Sequence, residues 1–146
     1  MRFDIETLAS PDQVRQALTD FTQERLRIWD RTLDPTTYEL REHGPAWAVA
    51  RENTPRSPFW VVARYDWSEP FVVRWTVVES SYGGGGEGFV RIVPRDGGGS
   101  SVHAEWRNTG PRRQKVMLIL LRLVPDRMVA RMWADALDRY AQAQDS

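Results

Sequence analysis

The sequence predicts an α+β protein in which a curved antiparallel sheet of seven strands wraps around one long C-terminal helix. One strand opens the chain and two short helices follow it. Six segments with strand-like alternation then succeed one another across short turns, and an amphipathic helix closes the chain. Connections this short favour hairpins, so we expect an antiparallel meander. A strongly curved sheet cannot touch a straight helix everywhere, so a cavity is expected between the two layers.

The chain of 146 residues fits a single domain spanning residues 1–146. Cysteine is absent, which excludes disulfides and thiolate chemistry and fits a reducing compartment. Twenty basic residues balance twenty acidic ones, so no net field attracts nucleic acid or an anionic membrane. We see no signal-peptide pattern, and the longest apolar stretch, residues 116–124, is far short of the roughly 20 residues that span a membrane. The expectation is a cytoplasmic protein.

The N-terminal part begins with a predicted strand over residues 2–9. The run Ser10-Pro11-Asp12 then marks a helix start. The serine can cap the helix, the proline suits its first position, and the aspartate faces the positive end of the helix dipole. A second short helix is predicted over residues 23–31, and it buries Trp29.

The rest of the chain reads as six strands and then helix. A glycine run over residues 83–86 is predicted to be a hairpin tip. After the last strand, residues 115–124 form an apolar helical segment, Pro125 restarts the helix, and an amphipathic helix of about 17 residues follows. The six predicted strands are residues 37–43, 47–53, 59–67, 71–82, 87–94 and 101–108.

This order of elements, together with several local sequences, resembles the helix-grip superfamily. That superfamily includes START domains, plant pathogenesis-related allergens and bacterial polyketide cyclase/dehydrase-like proteins. The resemblance covers essentially the whole chain, and it implies a ligand pocket under the C-terminal helix. Members range from lipid carriers to aromatase/cyclases and share no catalytic motif, so no catalytic residue is assigned. The residues that carry the resemblance are 9–14, Asp20, Trp29, 65–70, 97–102 and the closing helix.

Alternation along the strands indicates which side chains face the cavity. Around the turn at residues 68–70, one face is apolar, and the opposite face carries two arginines and an aspartate. The apolar face therefore points toward the helix. Tyr65 and Trp75 then line the cavity, and Glu79 is an inward carboxylate that is paired, protonated or at the rim. Arg91 is its candidate partner, with its facing left open.

Further cavity residues are expected from the last strand and the closing helix. Seven tryptophans suit a surface that is apolar but not sealed, and methionines suit an adaptable apolar wall. For each of these residues, the alternative is a place in an ordinary core. The candidate ligand-binding residues are Trp29, Tyr65, Trp75, Glu79, Arg91, Trp106, Asn108, Met128 and Met132.

Cofactor and metal sites are not expected. Gly83, Gly85 and Gly88 formally match the dinucleotide motif G-x-G-x-x-G, but strand rather than helix follows them, so the pyrophosphate would find no helix N-terminus. His43 and His103 lie on different predicted strands without the clustered spacing of metal ligands.

Three functions are compatible with these patterns. The leading hypothesis is binding or transport of a hydrophobic small molecule, lipid or polyketide-like, in an aromatic-lined cavity. The alternative is a polyketide aromatase/cyclase or dehydratase-type enzyme, in which Glu79, Arg91, Tyr65 or His103 would move protons. A second alternative is a homodimerising interaction module that uses Trp60 or residues 116–124.

Overall fold

The computed structural model describes residues 1–109 and 125–145. The predicted helix over residues 115–124 lies outside the described residues. The strands are β1 (Arg2–Thr7), β2 (Glu39–Gly44), β3 (Trp47–Asn53), β4 (Trp60–Asp66), β5 (Val72–Ser80), β6 (Gly85–Pro94) and β7 (Ser100–Thr109). The helices are α1 (Pro11–Thr19), α2 (Glu24–Ile28) and α3 (Asp126–Asp145).

The seven strands form one sheet in the order β1-β7-β6-β5-β4-β3-β2, and every neighbouring pair is antiparallel. The predicted α+β architecture is therefore confirmed. Strand ends differ from the predicted ones by one or two residues at most positions, while β3 matches the prediction. In the described ranges, no helix combines the length and the hydropathy that a membrane crossing requires.

Helix α1 begins where the sequence predicts. The Gln13 backbone N–H donates to Ser10 Oγ at 3.2 Å, and the Ser10 backbone N–H donates to Gln13 Oε1 at 2.9 Å. This reciprocal pair is a capping box, which satisfies two backbone donors at the helix start. Helix α2 is shorter than predicted, and Trp29 follows it as a buried residue.

Helix α3 is anchored through its C-terminal half. Its buried residues are Ala136, Leu137 and Ala141. Beside them, Asp138 accepts hydrogen bonds from Thr7 Oγ1 at 2.6 Å and from the Leu8 backbone N–H at 2.8 Å. Toward the N-terminal end of the helix, by contrast, exposure is high, and Met128 is 49% exposed.

The convex face of the sheet carries an interstrand histidine bridge. His103 on β7 contacts Asp4 on β1 through Nδ1 at 2.7 Å and Glu105 through Nε2 at 2.6 Å. Hydrogen bonds to these two carboxylates raise the pKa of His103 above its ordinary value of 6.5. The hydrogen bond with His103 lowers the pKa of Glu105 below 4.5. The bridge therefore joins the edge strand β1 to β7 through ionised partners.

Replacing Asp138 with alanine is expected to reduce the free energy of unfolding by about 1–3 kcal/mol, because the buried Thr7 hydroxyl and the Leu8 N–H lose their acceptor. Urea unfolding measures this loss. Asp135→Ala is the matched control, because Asp135 is 52% exposed and lies 3.7 Å from Arg31. The control should change stability by less than about 0.5 kcal/mol. Equal losses in the two variants would contradict the anchoring role.

The histidine bridge predicts a pH-dependent stability. Because the pKa of His103 is raised above its ordinary value of 6.5 in the folded protein, its full contribution to stability is present below pH 6.5 and is lost as the pH rises through the folded pKa. Because the pKa of Glu105 is lowered, its full contribution to stability is present above pH 4.5 and is lost as the pH falls through the folded pKa. The stability difference between the wild type and His103→Gln should therefore be largest between pH 4.5 and 6.5. A stability difference that grows above pH 6.5 would contradict the role assigned to the histidine bridge.

Candidate functional site

The concave side of the protein is covered by a continuous aromatic cluster that joins the sheet to α3 and α2. Neighbouring ring centroids are 5.0–6.1 Å apart, within the range in which aromatic pairs attract one another. The cluster runs from under α3 across β7, β5 and β4 to the loop after α1. Its members, in spatial order, are Trp29, Trp133, Trp106, Trp75, Tyr65, Phe21 and Trp67.

The middle of this aromatic cluster keeps accessible surface. Trp75, Trp106 and Trp133 are partly buried, whereas the next inward positions along β6 and β7, Val90 and Ala104, are fully buried. Apolar rings that pack on a sealed core and still keep a free face are suited to contact with a small apolar molecule. The cluster is therefore the candidate binding surface.

Gly88 determines how the two central tryptophans meet. In the sheet register, Gly88 lies between Trp75 on β5 and Trp106 on β7. A Cβ atom at Gly88 would lie 2.4 Å from the Trp75 ring and 2.7 Å from Cβ of Trp106. Only glycine leaves room for both rings here.

The glycine run is not simply the predicted hairpin tip. Gly83 has a positive φ of 74° and belongs to the turn, but β6 already begins at Gly85. This part of the prediction was wrong, because Gly85 and Gly86 pair with Thr109 and Asn108 of β7 and so belong to the strand.

A buried polar cluster lies at the other end of the aromatic cluster. Arg25 on α2 donates from Nε to Glu52 Oε2 at 3.0 Å and from Nη1 to the Leu18 carbonyl at 3.1 Å. The Tyr65 hydroxyl donates to the second carboxylate oxygen, Glu52 Oε1. Both charged side chains are only 6–7% exposed. This Arg25–Glu52–Tyr65 cluster therefore has both carboxylate oxygens bound.

Burial and neighbouring charges shift the pKa values of Arg25, Tyr65 and Tyr38 in and beside the polar cluster. Burial by itself lowers the pKa of Arg25, but the charge of Glu52, the hydrogen bond to Glu52 and the neighbouring Tyr65 and Tyr38 together leave the pKa raised. Burial, followed by the charge of Glu52, raises the pKa of Tyr65 well above its ordinary value. Burial also raises the pKa of the neighbouring Tyr38 to about 12. Arg25 is thus charged and the two phenols are neutral.

This polar cluster was not predicted from the sequence. Arg25 had no assigned role, although Glu52 continues the inward positions of Ala48 and Ala50 on β3. An inward glutamate after two buried alanines was a usable signal, because such a side chain needs a buried partner. Its partner, 27 positions away in sequence, could not be identified from local patterns.

Several of the predicted site residues lie next to one another in the structure. Tyr65, Trp75 and Trp106 share one row of the sheet and form the centre of the aromatic cluster. Trp29 packs against Trp133 at the end of the aromatic cluster, and its indole N–H donates to the Ala17 carbonyl at 3.0 Å. Asn108 occupies the next inward position after Trp106 and is exposed.

The two methionines of α3 differ in burial. Met132 is partly buried, whereas Met128 is 49% exposed.

Glu79 does not face inward, which corrects the expectation from alternation. The register between β4 and β5 shifts between Val62 and Ala63, because β5 has one extra residue there. Glu79 therefore lies opposite Val62 on the convex face, where it is exposed and bonds Arg41 at 3.3 Å.

Arg91 also lies on the convex face. It is opposite Val72, is exposed, and stacks over Phe89 with its guanidinium carbon 5.4 Å from the ring centroid. It is therefore not the partner of Glu79.

Other candidates from the sequence also belong to the convex face. His103 forms the bridge described above, and the guanidinium of Arg51 covers the Trp60 ring at 4.5 Å. Two open depressions of about 420 and 440 Å³ both include Trp75 in their lining, and the second also includes Trp106. Charged side chains such as Arg74 and Glu87 line them as well. The other proposed dimer contact, residues 116–124, lies outside the described residues.

The packing around Gly88 gives a direct test. Gly88→Ala should reduce the free energy of unfolding by about 1–3 kcal/mol, because the added methyl group overlaps the Trp75 ring and the Cβ atom of Trp106. Gly86→Ala on the same strand is the control, since its nearest neighbours would be 3.0–3.5 Å away. Urea unfolding and near-ultraviolet circular dichroism of the tryptophans measure the effect. A Gly88 variant as stable as the Gly86 variant would contradict the close ring contact.

The sequence matches no protein-family model, and no curated protein is similar to it at a significant level. Solved structures do resemble it. TTHA0849 from Thermus thermophilus superposes with a TM-score of 0.72 at 16% identity, covering 100% of this chain and 99% of that one. The Zhui aromatase/cyclase from Streptomyces sp. R1128 also has a TM-score of 0.72 at 16% identity, covering 100% and 94%.

A plant enzyme is similar at nearly the same level. Norcoclaurine synthase from Thalictrum flavum, in complex with dopamine and hydroxybenzaldehyde, has a TM-score of 0.69 at 15% identity, covering 100% of this chain and 87% of that one. Such low identities establish the fold alone. The chain therefore has the helix-grip fold, with aromatase/cyclases among its structural neighbours, as the order of its strands and helices predicts.

Proposed function

We propose that this protein binds an apolar, planar small molecule against the concave face of its sheet and acts as a binding protein or carrier. The observation that carries the proposal is the accessible surface left on Trp75, Trp106 and Trp133, in the middle of an otherwise buried interior. In the proposed complex, Tyr65, Trp75 and Trp106 contact the ligand. Asn108, Met128 and Met132 border it, and Trp29 supports the rings from behind.

The ring geometry supports a flat ligand. Trp106 and Trp133 lie nearly parallel, with an interplanar angle of 22° and centroids 6.1 Å apart. Trp75 is inclined to Trp106 at 54°. Parallel and inclined rings together present faces and edges to which another aromatic ring can pack favourably. Two structural neighbours are named for aromatic chemistry, an aromatase/cyclase and a synthase in complex with dopamine and hydroxybenzaldehyde.

Catalysis has less support among the described residues. A proton-transfer mechanism needs at least two titratable groups within reach of one bound molecule. Glu79, Arg91 and His103 lie on the convex face, and the Tyr65 hydroxyl is committed to Glu52. The concave face, as far as residues 1–109 and 125–145 form it, therefore favours binding over proton transfer.

Trp75→Ala is expected to weaken binding of the neutral planar dye Nile red about tenfold, because it removes the central ring of the surface. Dye fluorescence in a titration measures the dissociation constant. Arg64→Ala is the matched control on the neighbouring strand, since Arg64 is exposed on the convex face and stacks over Trp47 at 5.0 Å. Equal effects of the two substitutions would contradict the assignment of faces.

Native mass spectrometry of the protein purified from cells tests the proposal without a chosen probe. A retained apolar molecule, identified after extraction, would support binding and provide a compound to assay for turnover. A protein that carries nothing and leaves Nile red fluorescence unchanged would count against the proposal.

A further inference from the structure

We infer that the part of the ligand buried on the concave face is uncharged, an inference that rests on the binding function proposed above. Its basis is the distribution of ionisable groups between the two faces of the sheet. At the inward positions of β3 to β7, Glu52 is the one carboxylate, and none of these positions carries a lysine, arginine or histidine. The charge that β3 to β7 offer to a ligand on this face therefore depends on Glu52 and its partner.

Glu52 offers no free charge. One carboxylate oxygen accepts from Arg25 Nε at 3.0 Å and the other accepts from the Tyr65 hydroxyl. The guanidinium is held in turn by the Leu18 carbonyl and lies 4.1 Å from the Phe21 ring centroid. Carboxylate and guanidinium neutralise each other within a buried cluster, so a ligand meets a polar but electrically balanced wall.

The other charged side chains of these strands point away from the aromatic cluster and have partners on the convex face. Arg74 pairs with Glu69 at 3.0 Å, and Glu79 pairs with Arg41 at 3.3 Å. Arg107 pairs with Glu87. Strands β3 to β7 thus have a charged outer face and an inner face on which the one carboxylate, Glu52, is paired.

This separation discriminates between ligands of the same shape. A carboxylate or ammonium buried against the rings would lose its hydration and gain no counterion from β3 to β7, which is strongly unfavourable. A hydroxyl, a ketone or a ring edge loses far less, and the Asn108 amide at the rim can hydrogen-bond to it. A neutral ligand is therefore selected over its ionised analogue.

The test compares two probes of nearly equal size, 2-naphthol, which is neutral at pH 7, and 2-naphthoate, which is anionic. Tryptophan fluorescence of the wild-type protein gives both dissociation constants. We expect naphthol to bind at least tenfold more tightly, and naphthoate binding to strengthen as the pH is lowered and the acid becomes neutral. Equal affinities, or tighter binding of naphthoate at pH 7, would overturn the inference while leaving the binding function standing. If neither probe binds, both the proposed function and this inference fail.

A substitution in the polar cluster makes the test sharper. Glu52→Gln keeps the shape of the side chain but leaves the Arg25 charge without its counterion. The preference for naphthol should then fall at least threefold, because an anion now gains a cation nearby. The double variant Arg25→Gln, Glu52→Gln removes that cation and should restore the preference. An unchanged preference in a folded Glu52→Gln protein would show that the pair does not set the charge of the wall. If the Glu52→Gln variant does not fold, the comparison of naphthol with naphthoate on the wild-type protein tests the inference by itself.

Discussion

The contact between Trp106 on β7 and Trp133 on α3 joins the two layers of the protein at the centre of the concave face. A curved sheet and a straight helix diverge, and only large side chains can bridge the space between them. Trp106 reaches this position because Gly88 leaves room beside Trp75. Trp133 in turn packs on Trp29, whose ring centroid is 5.1 Å away. The arrangement of the interior therefore follows from one missing side chain and the tryptophans placed around it.

The two halves of α3 have different roles because they are held differently. Asp138 and the buried Leu137 fix the C-terminal half against β1 and α1, and Arg139 pairs with Asp30 at 3.0 Å. The half that begins at Asp126 is more exposed, and it carries Met128 and Met132. In the complex proposed above, these methionines would form an adaptable border, since methionine side chains repack at little free-energy cost.

Sequence patterns predicted what depends on local physics. The capping residues at Ser10 and the alternation that turns Tyr65 and Trp75 inward are both present in the structure, since each depends on neighbours within a few positions. The failures came from non-local geometry. An extra residue in β5 is visible only in the hydrogen-bonded register, so Glu79 was placed on the wrong face. The Arg25–Glu52 pair links α2 to β3 across 27 positions, and no local period marks it.

The Arg25–Glu52 pair itself needs a physical explanation, because a buried ion pair is often no more stabilising than apolar residues of the same volume. What apolar residues could not do is orient the Tyr65 hydroxyl or satisfy the Leu18 carbonyl at the end of α1. The pair fixes the Tyr65 ring between Phe21 and Trp75, with centroids 5.0 and 6.1 Å away. It also ties α2 to the sheet without leaving a free charge. A balanced buried pair thus shapes the concave wall and keeps it neutral, the combination that an uncharged aromatic ligand requires.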